Sequence, residues 1–276
     1  MLNPIIVELR HCIDTIEYKL VFFSLLLFNL LSYVICAHDK VGISYQFIRS
    51  SNESFILQDN TSSYIPYLLM LLLPIYASAI SALSLCKEKQ LNSSILLASR
   101  IGKRKYLINK ILVTVLLTFF TITIPLLINL ILCHMTFPLI GYDSAWAEPA
   151  YAIGTVSYNA DWYQDFMRIQ HPTLYNLIYI LNHGILGVEI ALVAYLLNFC
   201  DRFNNLFFAK IPGLIWIIYI AWYLLCAILG FGQLTIQNYL LPNMPGNIIS
   251  EAVLIIALFA VSVVLITKSI NKYEIM

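Results

Sequence analysis

Charged side chains are scarce in this sequence. Only 11% of its 276 residues are Asp, Glu, Lys or Arg, whereas 60% are hydrophobic and the mean hydropathy is +0.80. Soluble domains carry about 25% charged residues, so the composition excludes that class. The net charge of +1 gives no reason to expect a nucleic-acid partner. The sequence predicts an all-α polytopic membrane protein, with one transmembrane domain over residues 1–276.

Motifs for catalysis and metal binding are absent as well. The sequence has no GxxxxGK[ST] loop for ATP phosphates, no HExxH and no nucleophile elbow. Its five histidines show no metal-ligand spacing, and its six cysteines form no CxxC pair. We therefore expect no enzyme activity, cofactor or metal in this chain itself. Cys36 and Cys133 lie near the predicted outer face, where a disulfide is an alternative to simple packing.

Six apolar segments are long enough to cross a hydrocarbon layer about 30 Å thick. They cover approximately residues 20–37, 65–86, 109–133, 174–199, 212–232 and 248–267. Pro66 and Pro74 inside the second segment and Pro125 inside the third predict kinks whose freed carbonyls are satisfied by neighbours. Residues 1–19 alternate apolar and charged residues at spacings of three and four, which predicts an interfacial helix. A soluble amphipathic helix docked on a partner is the alternative.

The distribution of cations predicts the orientation. Thirteen of the 16 Lys and Arg residues fall in 1–19, 87–110, 200–211 and 268–276; the other three are Lys40, Arg49 and Arg168. By the positive-inside rule, both termini are cytoplasmic in a cell-membrane protein. The long outer loop 134–173 is rich in Trp and Tyr, which favours a position at the outer interface. A lid over an exit path is the alternative.

Polar residues recur inside the fourth apolar segment. Asn182 and Glu189 follow Tyr179 at +3 and +7, so the three share one helical face. A buried carboxylate is costly and needs a partner, water or a proton. Interhelical hydrogen bonding that sets packing is the preferred interpretation. A polar stripe that faces a substrate path or a subunit interface is the alternative.

The stretch KEKQLNSSILLASRIGKRKYLINK, residues 87–110, holds seven of the 16 cations. Leu91, Ile95 and Ala98 recur at helical spacing, and Leu96 and Leu97 widen the apolar stripe. We interpret 88–105 as a short cytoplasmic helix at the membrane surface followed by a basic collar, against which another protein pushes. A solvated loop whose cations only set the topology is the alternative.

The run Glu88…Leu96-Leu97-Ala98-Ser99-Arg100…Tyr106…Lys110 resembles ABC-2-type ABC transporter permeases. In that family an acidic residue ends the second span, and a leucine-rich turn, a Ser-Arg pair, a Tyr and a Lys follow. The six spans and the helix before them match as well. This sequence lacks the proline that often precedes the Ser-Arg pair, and its loop between spans 3 and 4 is longer.

The resemblance implies that two identical or different permease subunits pair, each contacting a cytoplasmic ATPase subunit that binds ATP and Mg. The helix at about 89–99, within the coupling helix and basic collar 88–105, would then lie in a cleft of that ATPase. The implied ATPase contacts are Glu88, Leu91, Asn92, Ile95, Leu96, Leu97, Ser99 and Arg100. An aromatic fifth span favours export of a hydrophobic or amphipathic cargo, such as a peptide, lipid or drug-like molecule. Peptide exporters and antimicrobial-peptide immunity permeases resemble this chain in size.

Two other functions remain open from the sequence. A secondary transporter or channel needs a coupling-ion site, for which Glu189 is the one candidate in a span, and no inverted repeat is visible. A non-transporting membrane sensor or anchor needs only a partner that binds residues 87–105.

Overall fold

The structure is a computed structural model that describes residues 4–43, 48–59, 62, 64–90, 102–139, 159–197 and 210–275. The side chains of residues 4, 81–90, 103, 210 and 269–275 lie outside this description.

The described residues form helices and short turns, with one isolated antiparallel bridge between Trp162 and Pro245. Two 3₁₀ turns, Gly232–Leu234 and Ile236–Tyr239, connect the last two helices. The α-helices are α1 (Pro4–Ile13), α2 (Ile16–Asp39), α3 (Tyr64–Gln90), α4 (Lys103–Thr136), α5 (Asp165–Gln170), α6 (Pro172–Leu197), α7 (Lys210–Leu229) and α8 (Ile248–Ile275).

Five helical stretches among the described residues are long and apolar enough to cross a membrane. They are Ile16–Asp39, Arg104–Thr136, Pro172–Leu197, Ile211–Leu229 and Ile248–Lys268. The part of α3 whose side chains are described, Tyr64–Ile80, is apolar but shorter. The all-helical, polytopic membrane architecture is thus confirmed.

The helix ends differ from the apolar boundaries in the sequence. Residues 1–19 do not form one helix, because α1 ends at Ile13 and α2 begins at Ile16. The side chain of Thr15 caps α2 by accepting a hydrogen bond from the Tyr18 amide at 3.3 Å. The helix α4 begins at Lys103, ahead of the expected 109. Capping and backbone hydrogen bonding, not hydropathy, set the ends of a helix. The first turn of α4 therefore includes the charged residues 103–105, which precede the apolar segment.

The helix α6 lies at the centre of the bundle. It packs against α3, α4, α5, α7 and α8, and 72% of its most apolar window is buried, compared with 17% for α8. Close packing against α4 depends on Gly184, because a Cβ atom there would lie 2.7 Å from the Phe119 ring and the Thr123 methyl group. Small residues at such crossings let two membrane helices approach closely.

The carbonyl that Pro74 leaves without a helical donor accepts a hydrogen bond from α7, as the sequence predicted for that proline. A proline has no amide hydrogen, so the carbonyl four residues earlier, that of Met70, loses its helical donor. The Tyr219 hydroxyl donates to this carbonyl at 3.3 Å. Trp216 Nε1 donates to the neighbouring carbonyl of Leu71 at 3.0 Å. The proline therefore joins α3 to α7 through side-chain donors.

One end of the bundle is closed by residues 48–59, which fold inward instead of forming an exposed loop. Phe55 and Ile56 are fully buried. Asn129 of α4 accepts from the Ile56 amide at 3.1 Å and donates to the Asn29 carbonyl at 2.7 Å. We call this end, which also holds residues 232–247, the loop end. The opposite end, with α1 and residues 103–110, is the basic end.

Candidate functional site

The predicted ATPase contacts fall almost entirely outside the described residues. This applies to Leu91, Asn92, Ile95, Leu96, Leu97, Ser99 and Arg100. Glu88 lies in the last turn of α3, and its side chain is not described. The structure instead describes the two flanks of this segment, where α3 ends at Gln90 and α4 begins at Lys103.

A buried ion pair lies close to the second flank. The Lys110 ammonium contacts a carboxylate oxygen of Glu8, and the two side chains are only 3% and 16% exposed. The Tyr106 ring centroid lies 5.8 Å from the same ammonium. Charges removed from water need such partners, so the pair holds α1 against α4. The sequence analysis placed Lys110 at the start of a span, without a partner.

The helix α1 presents apolar side chains on two sides. Ile5 and Leu9 pack against the core of the bundle. Ile6, Val7 and Ile13 are 43–53% exposed. A helix with a packed face and an exposed apolar face favours the interfacial interpretation of residues 4–13, since the exposed side chains can enter the headgroup region.

Two residues of the predicted polar stripe, Tyr179 and Asn182, belong to a buried cluster at the loop end. The Asn182 amide donates to the Tyr163 hydroxyl at 3.5 Å and to the Tyr239 carbonyl at 3.4 Å. The Tyr163 ring packs edge-on against Tyr179 and Tyr239, with centroids 5.8 and 5.2 Å apart. Edge-to-face rings of this kind add to the apolar packing.

Glu251 of α8 completes this cluster. The Tyr163 hydroxyl donates to its carboxylate at 2.5 Å. Burial, followed by the hydrogen bond to Glu251, raises the pKa of Tyr163 above its ordinary value. We refer to Tyr163, Tyr179, Asn182, Tyr239 and Glu251 as the tyrosine cluster. The side chains of Tyr163, Asn182 and Glu251 are hydrogen-bonded to one another, whereas the Tyr239 hydroxyl donates to the Gln233 carbonyl at 2.6 Å and the Tyr179 hydroxyl accepts from Tyr175 at 3.3 Å. Such paired polar groups are the arrangement expected of a packing element.

The third stripe residue, Glu189, lies apart from this cluster. It follows Asn182 by seven residues, or about 10 Å along the helix. Its carboxylate accepts a hydrogen bond from the Ser262 hydroxyl of α8 at 3.2 Å, and the residue is 7% exposed. The shared helical face therefore holds two separate contacts with α8, not one continuous polar site.

The sequence analysis missed Glu251 and Tyr163 as partners of this face. Glu251 lies only three residues inside the apolar segment 248–267, which was the available signal. Tyr163 was assigned to the outer interface with the other loop aromatics, whereas it is 2% exposed. Tyr and Trp in a loop can lie at the membrane interface or be buried in the protein core, and composition does not distinguish these two positions.

An apolar cleft of about 350 Å³ lies between α6, α7 and α8 beside the 3₁₀ turns. Its walls include Ile190 and Val193 of α6, Tyr219 and Trp222 of α7, and Leu254 and Leu258 of α8. This volume falls at the small end of the range of about 300–1,000 Å³ for small-molecule sites.

Comparison with known proteins does not assign the chain to a family. No family model, curated protein or solved structure matches the chain. Across the residues that the structure describes, no group of three or more His, Cys, Asp or Glu is arranged to hold a metal ion. Any function therefore has to be argued from the helical membrane architecture, the 88–110 sequence and the contacts above.

Proposed function

We propose that this chain is the membrane-spanning permease subunit of an ATP-driven ABC exporter. In this proposal it crosses the cell membrane six times, with α3 as the second span and the basic end in the cytoplasm. The 27 residues of α3 correspond to about 40 Å, enough for a hydrocarbon layer of about 30 Å. Both termini are then cytoplasmic.

The observation that carries the proposal is the length of the two helices that flank residues 91–101. The 34 residues of α4 correspond to about 50 Å, and α3 also exceeds the hydrocarbon thickness. The excess of α4 at the basic end includes Arg104 and Lys105, which are exposed. Gln90 and Lys103 can therefore lie beyond the hydrocarbon, where a soluble ATPase can bind.

The cleft supports one class of cargo over others. A sugar or an ion needs polar partners when it leaves water. The cleft walls between α6, α7 and α8 are apolar and can contact only the hydrophobic part of a cargo, which supports a hydrophobic or amphipathic molecule. The proposed cargo is a peptide, lipid or drug-like molecule whose polar groups stay outside the cleft. Under this proposal a second permease subunit, identical or different, completes the transporter, and the ATPase subunits supply ATP and Mg.

The test is reconstitution with a candidate ATPase. We expect the two proteins to purify together. We also expect an amphipathic peptide, added on the side of the proteoliposome membrane that carries the ATPase, to stimulate ATP hydrolysis and to accumulate on the other side. Failure of every candidate ATPase to associate would refute the proposal. Association and hydrolysis without transport would support a membrane sensor instead.

The substitution Leu97→Asp tests the docking surface directly. A carboxylate on the predicted apolar stripe should lower recovery of the ATPase at least tenfold, which corresponds to about 1.4 kcal/mol of binding free energy. Membrane insertion should not change. Ser93→Asp is the matched control, because it adds the same charge off the stripe. Normal assembly and coupled turnover of Leu97→Asp would place the ATPase contact elsewhere.

Glu189 favours one competing function, a secondary transporter driven by an ion gradient. A buried carboxylate with a single hydroxyl donor is a group that can bind and release a proton or cation. A pH or sodium gradient across proteoliposomes without ATP separates the two functions. Gradient-driven uptake that Glu189→Gln abolishes would support the ion-coupled transporter.

A further inference from the structure

The walls of the apolar cleft offer no free hydrogen-bonding group to an occupant. Two lining side chains carry polar atoms, Tyr219 and Trp222, and both donate elsewhere. The Tyr219 hydroxyl is committed to the Met70 carbonyl that Pro74 leaves without a donor. Trp222 Nε1 donates to the Leu234 carbonyl at 3.1 Å. A headgroup, a sugar or a peptide backbone would lose its hydrogen bonds with water there and regain none.

The shape of the cleft suits an extended hydrocarbon chain better than an α-helix. Its lining runs from Ile215 to Trp222 on α7 and from Val253 to Val261 on α8, a rise of about 10–12 Å on each helix. A volume of about 350 Å³ over that length gives a cross-section of about 30 Å². An α-helix with its side chains is about 10–12 Å across, so a helix of a second subunit that rested on the rims would leave the depth of the cleft unfilled. One extended hydrocarbon chain is narrow enough to fill that depth.

The cleft opens on the lateral surface of the helix bundle and is closed at the loop end. Ile218, Val253 and Val261 on its rims are about half exposed, at 48–52%. Leu234 and Ile236 of the 3₁₀ turns cover the loop end. An occupant therefore enters laterally, at the depth of the membrane-spanning helices.

The bilayer is the source of that occupant. Empty apolar space beside lipid loses dispersion contacts on its inner wall, and a neighbouring acyl chain restores them without leaving an apolar medium. We propose that the cleft between α6, α7 and α8 is a binding site for one acyl chain of a membrane phospholipid. This site requires only that the chain spans a membrane and does not rest on the proposed ATPase partner.

Photo-crosslinking tests the proposal on the full chain. The protein is reconstituted in phosphatidylcholine vesicles that contain a small fraction of phosphatidylcholine with a diazirine on one acyl chain, and labelled positions are mapped by mass spectrometry. We expect at least fivefold more label per residue on the cleft wall than on Ile217, Ile256 and Phe259, which are exposed apolar residues outside the cleft. Equal labelling of the two groups would mean ordinary lipid contact and would overturn the proposal.

The variant Ala257→Phe fills the cleft, and Ala252→Phe adds the same ring to the opposite, exposed face of α8. The first should lower cleft labelling at least fivefold, whereas the second should leave it unchanged. Retained labelling of Ile217 and Phe259 shows that the variant still inserts. Undiminished cleft labelling in Ala257→Phe would refute the site. Cleft labelling below that of the reference residues would show that protein covers the cleft and would equally refute it.

Discussion

The two ends of the bundle are held together by different kinds of contact. At the loop end, hydrogen bonds of amide and hydroxyl groups join the helices, as Asn129 and Asn176 show, and the Tyr163 hydroxyl donates to the Glu251 carboxylate. The ion pair between Arg168 and Asp165 lies within α5 and joins no two helices. Asn176 donates to the Asn52 carbonyl at 3.1 Å, which adds a second link to residues 48–59. At the basic end, the pair of opposite charges between Glu8 and Lys110 joins α1 to α4.

This difference predicts different responses to mutation. A neutral hydrogen bond contributes about 1 kcal/mol net, and distant contacts add independently. The loop end should therefore weaken stepwise. Removing one partner of a buried ion pair costs about 3–5 kcal/mol, because the remaining charge stays in a poorly hydrated place. The basic end should respond to a single substitution.

The largest effect is expected for Glu8→Gln, which removes the negative charge beside the buried Lys110 ammonium. The free energy of unfolding should fall by about 3 kcal/mol, measured by chemical denaturation in detergent. Asp14→Asn, an exposed carboxylate just beyond α1, should change it by less than about 0.5 kcal/mol. The exchanged pair Glu8→Lys with Lys110→Glu should recover part of the loss. Equal stability of Glu8→Gln and the parent would contradict the comparison.

The next largest effect is expected for Asn129→Leu at the loop end. It leaves the buried Ile56 amide without its acceptor, at a cost of about 2 kcal/mol in unfolding free energy. Hydrogen exchange of residues 48–59 should also become faster. Thr136→Val is the matched control, because that hydroxyl is exposed and bonds within its own helix. Unchanged exchange at 48–59 would show that other contacts hold this segment.

A smaller effect is expected for Tyr163→Phe, which keeps the packed ring and removes the donor to Glu251. The unfolding free energy should fall by about 1–2 kcal/mol. Combined with Asn129→Leu, the two losses should add to within about 0.5 kcal/mol, since the sites share no partner. A combined loss well above that sum would mean that the loop end fails as a unit.

Alkaline pH gives a second measurement on Tyr163. Its pKa is raised by burial and then by Glu251, so the folded protein keeps this hydroxyl protonated where an unfolded tyrosine, with a pKa of about 10, ionises. The stability from this group is complete below that value and is lost as the pH rises through the folded pKa. Tyr163→Phe should therefore lose less stability above about pH 10. Parallel pH profiles would contradict this.

The smallest effect is expected for Glu189→Gln. The amide oxygen can still accept from Ser262, so the unfolding free energy should change by less than about 0.5 kcal/mol. Transport of an identified cargo should continue at nearly the parental rate. Loss of transport with intact assembly would instead favour the interpretation in which Glu189 faces a substrate path.

The sequence predicted the helical membrane architecture well, and its failures share one cause. Tyr179, Asn182 and Glu189 were recognised as a polar face, and all three are buried. Their division into two contacts was not foreseen, because it depends on Glu251 and Ser262 of α8. The Tyr163 and Glu251 partners are 88 residues apart, and nothing in the local pattern of either one indicates the other.

The sequence by itself determined that this chain is a helical membrane protein and where its apolar segments lie. Hydropathy and cation placement suffice for that, because the bilayer acts on each segment separately. Only the tertiary structure decided that residues 48–59 fold inward, that Glu8 meets Lys110 and that a wholly apolar cleft remains beside α6. Those features depend on which helices become neighbours, and packing between distant segments determines that.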